Sequence, residues 1–346
     1  AALQLDPDNL GSKFKLGVTL RRGRSFDQAA RYFDEVGTTD PEYPGLALER
    51  GLLYEETDQT ERALEMYAEA LKKAPDDLDL KLRVGSTQVI SGHAKQAIPL
   101  LREVLTQRAN SGEVNHFLGR ALLVERTNLA EALRLLTRAT EIDGNRAEYF
   151  LFLGWAANEG GQPQVAKKAL DRALQLDRNL GDIYWQRGVL LQKRGATLDA
   201  LEELRIALEK NPSRFEAYAT MALCHQDQSD WPAAEAAWRK AIEGNAEVDE
   251  WHYRLGKILF DRGDRAGAAA EMKKAVEVAE APTKKATPAW LHDAHLVLAD
   301  TLRASDCKSS ARSYRRVLEL APSDYAYRPD AERALDSLKE CAGPPP

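Results

Sequence analysis

His292 and His295 are the pair in this chain best spaced for chemistry. Three residues apart on one helix they share a face, and Asp293 stands between them. Imidazole and carboxylate are zinc-ligand types, yet nothing nearby supplies a third and fourth ligand at a recognisable spacing. The expectation is therefore two polar residues lining an open groove. The other four histidines, His93, His116, His225 and His252, have no nucleophile beside them in a recognisable signature. No glycine-rich phosphate loop is present, and no strand pattern exists for one to follow. Three cysteines, Cys224, Cys307 and Cys341, are too few for a disulfide framework and lack metal-ligand spacing. The chemistry-bearing residues point to no catalytic centre, cofactor or metal, and the chain is expected not to be an enzyme.

The bulk composition narrows the alternatives. The chain has 346 residues, 44% hydrophobic and 29% charged, with a formal charge of −6. That sign is unfavourable for binding phosphate backbones, so no nucleic-acid partner is expected. No apolar run approaches the roughly 18 residues that span a bilayer. The longest, from Tyr149 to Ala157, implies a buried helix, and no membrane insertion is expected of this fragment. The opening Ala-Ala-Leu-Gln-Leu-Asp-Pro reads as the tail of a helix, as if cut from a longer protein.

The elements that position these residues recur. A small residue closes a Leu/Phe/Val-rich stretch at Gly17, Gly51, Gly85, Gly119, Gly154, Gly188, Ala222 and Gly256, with steps of about 34 residues and one of 35. A second ladder keeps step with it at Ala29, Ala63, Ala97, Ala132, Ala166, Ala200, Ala234 and Ala268, and both absorb the one-residue insertion together. Four residues on come Phe33, Tyr67, Leu101, Leu136, Leu170, Leu204, Trp238 and Met272. Small residues let two helix backbones approach, and the bulky one fills the remaining gap. Gly92, Gly161, Gly195 and Gly263 sit midway, where two helices reverse direction. Pro7, Pro41, Pro75, Pro212 and Pro322 punctuate the joints, since proline cannot continue a helix.

These marks resemble the tetratricopeptide repeat family over nearly the whole chain. The resemblance implies an all-α fold, a right-handed superhelical solenoid of antiparallel helix pairs, with about nine repeats and a C-terminal capping helix. The expected organisation is a truncated preceding repeat over 1–9, eight repeats over 10–280, an insertion over 281–288, a degenerate ninth repeat over 289–324, a cap over 325–342 and a Pro-rich tail over 343–346. In this register Cys307 and Cys341 belong on one edge. A bridge between them would staple the cap and imply a periplasmic or other extracytoplasmic compartment; without it the chain is expected in the cytoplasm. Register alone does not guarantee the Cα separation of about 5.5 Å that a disulfide needs. The alanine- and arginine-rich style of the repeats looks bacterial.

In this family the first helices line a concave surface. Carried onto this sequence, the positions that face it include Phe14, Leu48, Leu82, His116, Arg120, Leu151, Trp155, Trp185, Val189, Tyr253, Lys257 and Phe260. The face is apolar, and Trp155 and Trp185, from adjacent repeats, are expected close together. It suits a partner protein's extended peptide or amphipathic helix. The competing reading is that packing of the first helices on one another already buries these side chains. The subfamily that grips a chaperone C-terminus carries Lys and Asn at the fifth and ninth positions. Here those pairs are Phe14/Val18, Leu48/Leu52 and Leu82/Ser86, so that clamp is absent. The function expected is a protein-binding scaffold or adaptor. The alternatives are a structural spacer in a larger complex, using edge or convex contacts, and a regulatory module of a larger enzyme.

Overall fold

The computed structural model describes residues 8–339 except Thr283 and Lys285. Among these residues the chain forms nineteen α-helices and no strand. Two compact units divide it, residues 1–177 and 178–346.

The first unit holds five helical hairpins. They are α1 (Leu10–Arg22) with α2 (Phe26–Thr39), α3 (Leu46–Glu56) with α4 (Thr60–Lys73), α5 (Leu78–Ile90) with α6 (Ala94–Gln107), α7 (Gly112–Val124) with α8 (Leu129–Ile142), and α9 (Ala147–Glu159) with α10 (Pro163–Leu176). The second unit holds α11 (Gly181–Lys193) with α12 (Thr197–Lys210), α13 (Phe215–Asp227) with α14 (Trp231–Gly244), α15 (Asp249–Asp261) with α16 (Arg265–Ala279), α17 (Leu291–Leu302) with α18 (Cys307–Leu320), and a closing helix α19 (Arg328–Ser337). Within each unit the second helix of a hairpin also packs on the first helix of the next.

The ladders explain why two helices of a hairpin lie so close. A Cβ built on Gly17 would meet the Phe33 ring at 2.7 Å, one on Gly51 the Tyr67 ring at 2.6 Å, and one on Gly154 the Leu170 side chain at 2.6 Å. The bulky residue of the second helix therefore seats on the bare backbone of the first. The alanine ladder is fully buried at all eight positions, from Ala29 to Ala268. Each of the first eight hairpin cores is thus built on one glycine or alanine, one alanine and one large side chain.

Each of the first eight hairpins reverses through one left-handed residue. Gly92, Gly161, Gly195 and Gly263 have φ of +84°, +66°, +74° and +85°. At the equivalent turns the chain uses Arg24, Asp58, Arg126 and Ser229, with φ of +61°, +57°, +51° and +59°. A side chain there costs backbone energy that glycine avoids.

Helix starts are capped by side chains. Asn9, Asp77, Ser111, Asn128, Asp230, Asp264 and Asp306 each accept an N–H from the first turn. At the C-terminal end α19 lays Ala331, Ala334 and Leu338 over Tyr314, Val317 and Ala321. Cys307 opens α18 and packs partly against that cluster. Cys341, the other half of the expected bridge, and the tail lie outside the described residues. Cys224 is buried and unbridged, and burial pushes its thiol up to about 11.

Candidate interaction surfaces on the first helices

In the first unit the expected groove residues divide by burial. Leu82, His116 and Leu151 are 8%, 1% and 3% exposed, so they form packing between first helices rather than an open surface. Phe14, Leu48, Arg120 and Trp155 are half-buried. Phe14 lies 5.1 Å from the Tyr43 ring, in the segment that leads into α3. Leu48 packs against the core around Ala63, Tyr67 and Val84.

His116 sits on α7 against α9. Its ring stacks on Tyr149 at 4.6 Å and meets Phe117 and Phe152 edge-on. Neither ring nitrogen has a hydrogen-bond partner. Burial, with Arg120 and Arg146 nearby, pushes its pKa down to about 3 and keeps the ring neutral. The aromatic residues of α9 close over it.

Around it stands a second group. The Arg120 guanidinium lies 4.5 Å from the Phe152 ring centre and 3.1 Å from Glu148. Trp155 stacks on Phe152 at 5.7 Å and stays half-buried. An arginine over an aromatic face is attracted by the ring's electron density. Toward the start of the unit Arg21, buried, reaches Glu49 at 2.9 Å and Glu56 at 2.6 Å. That cluster ties α1 to α3.

In the second unit Trp185, Val189, Tyr253 and Phe260 are half-buried and Lys257 is exposed. Arg214 lies 4.9 Å from the Trp185 ring and is itself held by Asp182. Phe260 packs against the Trp238 core. Tyr253 stacks on Trp290 at 4.6 Å. Trp155, in the first unit, stacks on the Phe152 ring that Arg120 covers, and Trp185, in the second, has Arg214 over its own ring.

The two neighbouring histidines have different surroundings. His295 is buried, 3.4 Å from Glu280, and burial lowers its pKa. His292 is half-buried and meets Tyr325 edge-on. Among the described residues no three His, Cys, Asp or Glu side chains are placed to hold one metal ion. Nor is any helix among them long and apolar enough to cross a membrane.

Two features had no signal in the repeat register. A recess of about 590 Å³ opens between the second helices α6 and α8, lined by Leu105, Ala109, Leu133 and Thr137 with Arg134 and Arg138 at its rim. The second feature is Trp290, Tyr325 and Tyr327, which flank the degenerate hairpin. Their density in a stretch that has lost the glycine and alanine marks was the available clue.

Paired antiparallel helices joined by short turns, with small-on-large ladders in the first eight cores, define a helical-hairpin repeat protein. Residues 14–77, 48–113 and 220–284 match the tetratricopeptide repeat. The chain carries tetratricopeptide repeats over those residues. It is 23% identical over 284 residues to the human protein O-mannosyl-transferase TMTC3, covering 80% of this chain and 29% of that protein. It is 26% identical over 286 residues to mouse superkiller complex protein 3, covering 81% of this chain and 16% of that one. The chain therefore spans less than a third of the length of these relatives. Among solved structures, a chain of the APC/C hetero-tetramer Cut9–Hcn1 superposes with a TM-score of 0.61 at 14% identity, over 90% of this chain and 59% of that one. The human IFIT1 dimer with m7Gppp-AAAA gives 0.61 at 15% identity, over 95% and 81%. At such identities these neighbours establish the fold alone.

Proposed function

We propose that the chain is a non-enzymatic protein-interaction scaffold whose first-helix faces hold a peptide segment or amphipathic helix of a partner. One observation carries this reading. The first eight hairpin cores are complete with their small and large ladder residues, yet the first helices add half-buried tryptophans in groups with arginine, as in Arg120–Phe152–Trp155 and Arg214–Trp185. Tryptophan, tyrosine and arginine are the residues that most often carry binding energy at interfaces. The net charge of −6 disfavours a nucleic-acid partner, although IFIT1 carries a capped oligonucleotide on a similar fold.

A second reading, a spacer in a larger complex, is favoured by a different observation. Among the described residues the exposed large apolar side chains are Ile90, Val124, Val165, Leu198, Trp231 and Tyr327. The first five stand within a few residues of the turn inside five successive hairpins, so one edge of each unit is apolar. The name of TMTC3 keeps a third reading in view, a module attached to an enzyme elsewhere in a longer chain.

Affinity capture from lysate of the source cells separates the first two. A first-helix binder loses its protein partner in Trp155→Ala/Trp185→Ala and keeps it in Val124→Asp/Trp231→Asp. The edge reading requires the reverse. Unchanged helicity in each variant is checked first by circular dichroism.

A further inference from the structure

Five ring side chains gather at the C-terminal end of the second unit, around one carboxylate. Tyr253 of α15 stacks on Trp290 with ring centres 4.6 Å apart and planes 12° apart. Tyr325 meets His292 edge-on at 4.7 Å and Tyr327 at 5.7 Å. The Tyr325 hydroxyl donates to Asp293 Oδ1, and His292 Nε2 lies 3.9 Å from the same oxygen. Tyr253 and Trp290 are backed by Met272, Ala294 and Leu298, so their positions are fixed by the core. Their outer parts are not covered: Tyr253, Trp290, His292 and Tyr325 are half-buried, the Asp293 side chain is 42% exposed, and Tyr327 is 56% exposed.

The charged groups that act on the Tyr253 and Tyr325 hydroxyls are mostly acidic, whereas Arg303 and Arg333 line the recess that Tyr327 borders together with Asp300 and Asp330. Asp293, Asp261 and Glu250 act on the Tyr253 hydroxyl against Arg254, which Glu250 already holds at 2.7 Å. Burial and Asp293 raise the pKa of the Tyr325 hydroxyl, and no cation is among the groups that act on it most. Lys284 is engaged by Asp249 at 3.0 Å. Lys257, one turn beyond Tyr253, is exposed. Electron-rich ring faces beside a carboxylate attract an organic cation and give a neutral apolar group no comparable advantage.

We propose that Tyr253, Trp290, Tyr325 and Tyr327, with Asp293 among them, form a binding site for an alkylammonium group, the head of a lysine side chain on a partner segment. The proposal rests on the first-helix docking reading in one respect, that Tyr253 faces the partner. The aliphatic stem of the lysine lies along the Tyr253–Trp290 edge and its ammonium takes the free acceptor capacity of Asp293. Of the ladder residues Met272 alone is among those that back the site, and none of the variants below replaces it.

The test is an NMR titration of the whole chain, reading the indole N–H signal of Trp290, assigned by its loss in Trp290→Phe. The probes are Nα-acetyl-lysine methylamide and tetramethylammonium chloride, with N-acetyl-norleucine methylamide as the neutral control that keeps the four-carbon stem of lysine and lacks its ammonium. Both cations are expected to shift the signal saturably, and norleucine is not. Asp293→Asn keeps an acceptor for Tyr325, and it should weaken the lysine probe by about threefold or more. Tyr253→Leu should abolish the effect, and Lys257→Ala should strengthen it. A norleucine response equal to that of lysine, or an Asp293→Asn variant that binds as wild type does, overturns the proposal. Trp155→Ala should leave the titration unchanged. A partner captured through Trp155 by a protein whose Trp290 signal ignores cations would leave the docking reading standing and remove this site alone.

Discussion

At the scale of single residues, the turns carry a cost that the sequence does not advertise. Arg126 takes a left-handed conformation that glycine takes in four sister hairpins, and it is exposed. Arg126→Gly is therefore expected to stabilise the chain by about 0.5–1 kcal/mol, which thermal denaturation would register as a rise of roughly 2 °C. His116 makes a second prediction. Its folded pKa is depressed from 6.5 to about 3, so the unfolded chain takes up the proton first and stability falls as pH drops below about 6.5. At pH 5 the loss is 1.5 units at about 1.36 kcal/mol each, or about 2 kcal/mol. His116→Phe keeps a ring against Tyr149 and removes two unpartnered nitrogens. Melting wild type and variant at pH 7.5 and pH 5 should show the gap between them widening in acid. Parallel behaviour at both values would mean that the ring is hydrated.

At the scale of elements, the ladders made the all-α hairpin fold legible, because each mark corresponds to a contact. Gly154 and Leu170 are sixteen residues apart, as are Gly17 and Phe33, and in each pair the large side chain touches the bare backbone. The left-handed turns were legible only where glycine occupies them; arginine, aspartate and serine hide the same conformation. Exposure of the first helices was also hidden. Whether Leu82 or His116 faces solvent depends on the side chains of the next hairpin, and register says nothing of their bulk. The aromatic group around Asp293 escaped for a related reason, since it forms where the repeat pattern is lost. The closing helix gives a prediction at this scale. Removing residues 329–346 uncovers Tyr314, Val317 and Ala321, which Ala331, Ala334 and Leu338 otherwise cover. The shortened chain is expected to self-associate in light scattering and to melt earlier. A monomer with unchanged melting would show that α19 is not a cap.

At the scale of the whole molecule, the division at Asp177 has no counterpart in the sequence, where both ladders run on through Gly188 and Ala200 without a change of step. Each unit supplies its own aromatic and arginine side chains at first helices, Trp155 with Phe152 and Arg120 in one, Trp185 with Arg214, the residue before α13, in the other. The central claim is that the partner lies against these first helices. Site-specific photo-crosslinking tests it most directly, with a benzophenone side chain placed at Val18, Val189 or Leu223 on first helices and at Arg134, Arg205 or Lys240 on second helices. The account predicts partner adducts from the first-helix positions and none from the second-helix positions. Adducts confined to the second helices, or to probes at Val124 and Trp231 at the helix ends beside the turns, would contradict it.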